Sequence, residues 1–406
     1  MLSFDEARRS ILNAMSPVST EIVALAQARQ RVTASDIFSE EDIPFFDNSS
    51  MDGYALRTFD TSGASGGGIA VLEISGEVMA GEDAQEPLGA GHAVRIMTGA
   101  PIPVGADAVL EQEEVAAKDG SIEVRKEVPQ GRNIRKKGED VRKGDLVLRK
   151  GTLLTPSGIG LLASLGMQEV EVHRKPHVSI LTSGNELLDL DEPLAPGKIR
   201  NSNAYALREL VQETGCEAVS LERSRDEESE LRRKMSEGLR YDALITSGGV
   251  SVGKHDIVLK TLEAVGVEIR FWKVNIKPGK PFAFGVYANP AGGGLVPVFA
   301  LPGNPVSTVV TFLQLVRPAL QKMMGAGPVS FPALRATLEH DIAKRDSKRH
   351  FNRGILRGEN GRLFVRATRS QSSGVLSSLV DANCLFIVPE DRMDPKAGDE
   401  VEVELL

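Results

Sequence analysis

The hydrophobic pattern changes along the chain. Residues 1–45 show helical spacing: a first helix starts near Ser3, and a second runs through STEIVALAQARQRV, residues 19–32. Ser3 and Glu6 have the spacing of a capping box. From 46 to 143, short β-like runs (GIAVLEIS, HAVRIMTG, DAVLEQEEV, SIEVRKEV) alternate with Gly/Pro turns, which predicts a small β-rich domain. GDLVLRKGTLLTPSGIGLLASLG, 144–166, reads as strand, turn and a helix starting after Thr155-Pro156, where proline suits a first helical turn.

Residues 177–326 alternate strand and helix: HVSILTSG, NSNAYALRELVQETG, EAVSLERSR, DEESELRRKMSEGL, YDALITSGG and DIVLKTLEAVG. That order predicts a parallel sheet with helices on both faces. Beyond Gly327-Pro328 the pattern is again β, with ENGR as a hairpin turn, which predicts a small C-terminal β-barrel. The expected organisation is multidomain α/β plus β. It has a discontinuous helical and extended N-terminal domain (1–45 and 144–176), a β-rich insertion (46–143), a three-layer α/β domain (177–326) and the barrel (327–406).

The 406 residues are too many for one core, and 41% hydrophobic with 26% charged is ordinary soluble composition. A net charge of −8 argues against nucleic-acid binding, and no apolar run reaches membrane-spanning length. Cys216 and Cys384 are the only cysteines, and no histidine pair has HxH or HxxxH spacing. This excludes a cysteine zinc site, disfavours a histidine metal site and points to a reducing, cytoplasmic compartment.

The chemistry concentrates in the α/β segment, where ligands bind beyond the carboxyl ends of the strands. YDALITSGGVSVGKHD is an apolar strand running into glycines and then a helix, an arrangement suited to a phosphate. Its candidate contacts are Ser247, Gly248, Gly249, Ser251 and Gly253. Three successive strands lead to acids: Glu186, Asp226 and Asp256. If the strands are neighbours, the acids meet at one edge and suit a divalent cation, most often Mg2+. Asp226 and Asp256 could each equally be helix N-caps. FWKVNIKPGKPFAFG places Lys273, Lys277 and Lys280 around a Pro-Gly turn flanked by Phe271, Trp272, Phe282 and Phe284. Lysines there would neutralise an oxyanion, or simply be solvated. LPGNPVS, with Pro302 and Ser307, supplies a further turn into a helix, or only a buried turn. Asp52, Thr98 and Asp140 lie in turn-rich stretches that carry no assignment by themselves.

Taken in order, SSMDGYAL, RIMTGAPIP, GEDV, TSGNEL, SGGVSVGKHD, IKPGKPFAFG and LPGNPVS resemble the molybdopterin molybdenumtransferase family, MoeA and the gephyrin E-domain, over nearly the whole chain. The resemblance implies insertion of molybdenum from molybdate into adenylylated molybdopterin, with divalent-cation-dependent cleavage of the adenylyl-phosphate link and release of AMP. It implies a homodimer with a shared cleft, and the adenylyltransferase that makes the substrate as a further partner. Asp52 and Thr98 would reach in from the partner subunit, Asp140 and Glu186 would line the cleft, and Asp226 and Asp256 would bind substrate or cation. Lys277, Lys280 and Ser307 would hold phosphate or molybdate, with Arg353 and Ser373 completing the oxyanion site. His350 stands where the family often has an acid. The competing readings are a pyrophosphatase or adenylyltransferase of the same α/β fold, which would need only that segment, and a non-catalytic scaffold.

Overall fold

A computed structural model describes residues 1–64, 67–82, 86–249, 257–289, 294–327 and 334–406. The chain forms two compact units: residues 1–34, 150–155 and 170–406 in one, and 35–149 with 156–169 in the other.

The first unit begins with α1 (Phe4–Ala14), capped as its sequence predicts. The Glu6 carboxylate accepts the Ser3 backbone N–H at 2.9 Å, and Ser3 Oγ accepts the Glu6 N–H at 3.3 Å. Its buried Phe4, Ala7 and Ile11 enter a core shared with the central sheet and with Phe351 and Leu385. Burying a side chain the size of Phe4 or Ile11 contributes about 1.5–3 kcal/mol. The second expected helix is not formed. Thr20–Ala24 is a strand paired with Glu169–His173, and only Leu25–Gln27 turns as a 3-10 helix. Thr20, Ile22 and Val23 are β-branched and stiff at χ1, and the strand partner is far away in sequence, so periodicity alone misassigned them.

The central sheet contains β1 (His177–Thr182), β2 (Glu217–Ser220), β3 (Ala243–Ser247), β4 (Val267–Trp272), β5 (Ala283–Ala288) and β6 (Leu295–Leu301), in the order β2-β1-β3-β6-β5-β4. The first four are parallel, while β5 runs antiparallel to both β6 and β4. Among the described residues no crossover helix separates β4 from β5, and only six residues separate β5 from β6, too few for a parallel crossover, so antiparallel pairing is what remains. Helix α2 (Ser202–Glu213) packs Leu207 and Val211 on one face. Helices α3 (Glu228–Gly238) and α4 (Ile257–Ala264) pack Leu231, Met235, Val258 and Leu262 on the other. The chain leaves β1 for β2 on one side and returns to β3 on the other, so the strand order reverses between β1 and β3.

After β6 come α5 (Pro305–Thr311), a π-helical turn at Phe312–Val316 and α6 (Arg317–Met323). Pro318 has no N–H for the Gln314 carbonyl one turn back, which accounts for the local widening. The C-terminal strands β7 (Leu334–Leu338), β8 (Arg349–Glu359), β9 (Arg362–Ala367), β10 (Cys384–Val388) and β11 (Glu400–Leu405) pair in the order β8-β9-β7-β11-β10. Pairing of β10 with β8 closes them into a barrel. Asn360 and Gly361 both have positive φ in the β8–β9 hairpin, as a type I′ turn requires.

The second unit is a six-stranded sheet that includes Gly53–Leu56, Ala70–Val78, His92–Ile96, Ala108–Glu111 and Ser121–Val124. Its core contains Leu56, Leu72, Ala93, Leu110 and Ile122. Gly53–Leu56, directly after Asp52 in a stretch that reads as turn-rich in sequence, is a buried interior strand. The helix expected after Thr155 spans Pro156–Ser164.

Candidate active site

The reversal point between β1 and β3 opens into a cleft of about 590 Å3. Register brings Thr182 level with Ser247, and the Ser183 N–H donates to the Ser247 carbonyl at 3.0 Å. The cleft is lined by the segments after β1, β3 and β6, including Ser183, Glu186, Ser247, Gly248, Gly249, Pro302 and Gly303.

The glycines are required by close approach. Gly248 and Gly249 have φ of 107° and 64°. A Cβ on Gly248 would lie 2.2 Å from the Ser183 carbonyl oxygen, and one on Gly249 would lie 2.3 Å from Val258 Cγ2. Gly303 differs: its Cβ would meet only the Gly248 Cα, at 3.6 Å, an ordinary contact. Together the three glycines line the cleft as a cradle of bare backbone.

Two amides that sequence reading missed frame the cradle. Asn203 Nδ2 donates to Ser247 Oγ at 2.9 Å and to the Gly303 carbonyl at 2.8 Å, tying the β3 end to the LPGNP turn. Ser247 Oγ in turn donates to the Pro302 carbonyl at 3.3 Å. Asn201 caps α2 through the Ala204 N–H and donates to Thr182 Oγ1 at 2.8 Å. The NSN at the α2 start was a visible capping signal, but its reach across two other loops was not.

Asp226 does not cap α3; the residue before that helix is Glu227, which makes no side-chain cap. Instead Asp226 and Asn185 exchange hydrogen bonds, Asn185 N–H to Asp226 Oδ2 at 3.4 Å and Asp226 N–H to Asn185 Oδ1 at 3.2 Å. The segments after β1 and β2 are thus joined, with Glu186 exposed one residue beyond Asn185. Asp226 Oδ1 is buried and has no hydrogen-bond partner among the described residues. An oxygen ligand left open in this way fits a hard divalent cation. Ser251, Gly253 and Asp256 lie outside the described residues, among which no group of three His, Cys, Asp or Glu is arranged to hold a metal.

The lysines diverge. Phe282 and Phe284 are fully buried and Phe271 nearly so, which anchors the Pro-Gly loop as expected. Lys273 Nζ lies 3.7 Å from the Trp272 ring centroid in a cation–π contact. Lys280 is exposed on the same loop. Lys277 pairs in register with His350 of β8, and with Arg353 it lines a separate cavity of about 320 Å3. Arg353 is 1% exposed. Its guanidinium donates to the Ser370 and Ser372 carbonyls, both at 3.1 Å, and to Ser378 Oγ at 3.3 Å. Burial pushes its pKa down to about 10, so it stays cationic at neutral pH. Those bonds brace the 370–376 loop. Ser373 Oγ accepts from Asn304 Nδ2 at 3.0 Å and its carbonyl accepts the Val306 N–H, while Gly374 and Leu376 line the 590 Å3 cleft. Ser307 is buried in α5 and does not line that cleft.

In the second unit Asp52 and Thr98 come together: the Thr98 N–H donates to Asp52 Oδ1 at 2.7 Å. This bond, with a second from the Thr98 side chain, holds the exposed Asp52 carboxyl below the usual carboxylate range. Asp140 is exposed in the same unit, its N–H donating to the Ile43 carbonyl.

Comparison with known proteins covers the whole chain. Residues 2–166 match the family described as MoeA N-terminal region (domain I and II), 179–322 a probable molybdopterin binding domain, and 335–406 the MoeA C-terminal region (domain IV). The molybdopterin molybdenumtransferase of Haemophilus influenzae is 40% identical over 412 residues, covering 100% of this chain and 98% of that protein. The Staphylococcus aureus protein of the same name is 35% identical, over 98% of this chain and 94% of its own. The crystal structure of the molybdopterin biosynthesis moeA protein from Pyrococcus horikoshii superposes with a TM-score of 0.85 at 34% identity, covering 100% of each chain. Cradle, barrel and full-length similarity agree, and the chain belongs to the MoeA family of molybdopterin molybdenumtransferases.

Proposed function

We propose that the protein inserts molybdenum from molybdate into adenylylated molybdopterin, cleaving the adenylyl-phosphate link and releasing AMP. The observation that supports this reading is the glycine-lined cleft at the strand-order reversal, together with a buried Asp226 oxygen, on the segment after β2, that has no hydrogen-bond partner among the described residues. The cradle, Ser247 and Pro302 position the substrate's phosphates. Asp226 holds Mg2+ or another divalent cation, with Glu186 and, beyond the described residues, Asp256. Once bound, the cation neutralises charge on the phosphate oxygens. Lys277 and Lys280 attract molybdate, and buried Arg353 both adds positive charge and fixes the loop bearing Ser373. Lys273, resting on Trp272, contributes to the field of the same loop. Ser307 supports the cleft from α5, and Ser251 and Gly253 extend the phosphate-binding stretch. Asp52, Thr98 and Asp140 complete the cleft from the partner subunit of a homodimer. The substrate arrives from the adenylyltransferase, in the reducing cytoplasm that two buried free thiols suit. Most of the acceleration comes from preorganised charge rather than from a protein nucleophile.

Asp226→Asn tests this reading. The amide keeps an acceptor for the Asn185 N–H but loses the charge. AMP release should fall at least about a hundredfold with the unfolding midpoint unchanged. An Asp226→Asn protein that turns over normally, or one that fails to fold, contradicts the assignment.

A further inference from the structure

Ser183 is a buried polar side chain of the cleft wall whose hydroxyl has no part in the reading above. It follows β1 directly and is 4% exposed. Its N–H donates to the Ser247 carbonyl, and its neighbours Thr182 and Gly184 carry the bridge to Ser224 at the β2 end. Its hydroxyl is not used. Ser183 Oγ is buried and has no hydrogen-bond partner among the described residues.

A buried hydroxyl without a partner costs free energy, so one that persists calls for a missing partner. The surroundings say where that partner sits. Ser183 lines the 590 Å3 cleft, and its Oγ lies 3.3 and 3.4 Å from the positions a Cβ would take on Gly248 and Gly249. The hydroxyl therefore packs beside the two glycines in the wall of the cleft. Ser247, its neighbour across the register, is already committed to Asn203 and Pro302. Ser183 is thus a buried cleft-wall hydroxyl with no committed partner among the described residues.

We infer that Ser183 Oγ donates a hydrogen bond to a phosphate oxygen of the substrate, making it a binding residue of the cleft. The inference rests on the proposed function for the identity of that substrate. An anionic oxygen with several lone pairs is the natural acceptor for a lone hydroxyl, and the resulting charge-assisted bond is among the stronger kinds.

The test compares wild type with Ser183→Ala. Equilibrium binding of adenylylated molybdopterin is measured without molybdate, alongside thermal unfolding of the unliganded proteins. Loss of a hydrogen bond to a charged group predicts Kd weakened roughly tenfold or more. Removal of an unsatisfied buried hydroxyl predicts an unliganded unfolding midpoint that is unchanged or raised. A Kd within about twofold of wild type overturns the inference. So does weaker binding accompanied by a lowered unliganded midpoint, because the hydroxyl would then be bracing the fold. If wild type does not bind adenylylated molybdopterin, the proposed function fails separately, and the same comparison is run with inorganic pyrophosphate. Weaker pyrophosphate binding by Ser183→Ala upholds the phosphate contact; equal binding, or none by either protein, overturns it.

Discussion

Asn203 holds two walls of the cleft with one amide, to Ser247 Oγ and to the Gly303 carbonyl. Asn203→Ala leaves both acceptors without this donor and lets the LPGNP turn drift. The expected result is a loss of about 1–3 kcal/mol in stability and roughly a tenfold fall in kcat/KM, read by denaturant unfolding and steady-state AMP release. Asp52 carries a pH prediction. Its pKa is depressed by hydrogen bonds from Thr98, so its favourable contribution is present above about pH 4 and lost as pH falls through the lower folded value. NMR titration should place this carboxyl below the usual carboxylate range, and Thr98→Ala should move it part of the way back, since the backbone bond survives. At this scale the sequence singled out candidate acids and glycines but not their partners. Asp226 reads equally well as an N-cap until its bond to Asn185 is seen, and nothing in TSGNEL marks Ser183 as the unsatisfied member.

The glycine-bearing elements separate folding from function. A methyl group on Gly303 meets no more than an ordinary contact, but it projects into the cleft lining. Gly303→Ala should therefore keep its unfolding free energy within about 0.5 kcal/mol of wild type and still weaken substrate binding. Gly248→Ala, forced against the Ser183 carbonyl oxygen at positive φ, should lower the folding yield or midpoint outright. Paired unfolding and binding curves would tell the two apart; destabilisation by Gly303→Ala would contradict the cradle geometry. The alternating strands and helices of 177–264 were legible because local periodicity decides them. The strand at 20–24 was not, because its partner lies at 169–173, and β5 broke the parallel pattern where no crossover helix intervenes.

Across the whole chain, distant segments are bound by a few charged contacts. Arg349 of β8 pairs with Asp5 of α1 at 2.8 Å and with Glu390 at 3.1 Å, its guanidinium 4.8 Å from the Phe4 ring centroid. This links the chain's first helix to its last barrel, although the sequence separates them by more than three hundred positions. The sequence pattern predicts separate β-rich, α/β and barrel segments, but it shows no such contact between them. The dimer reading also belongs at this scale. If Asp52 of one subunit serves the cleft of the other, coexpressed Asp52→Ala and Asp226→Ala chains should form mixed dimers with one intact site each. They should then recover roughly a quarter of wild-type turnover, whereas sites built within a single chain would recover none. The central claim is tested most directly by mixing the protein with adenylylated molybdopterin and Mg2+, with and without molybdate, and following AMP and molybdenum-loaded cofactor together. The account predicts AMP release that depends on molybdate and matches the cofactor formed. AMP released equally without molybdate, with no metal inserted, would make the protein a hydrolase of the same fold and contradict it.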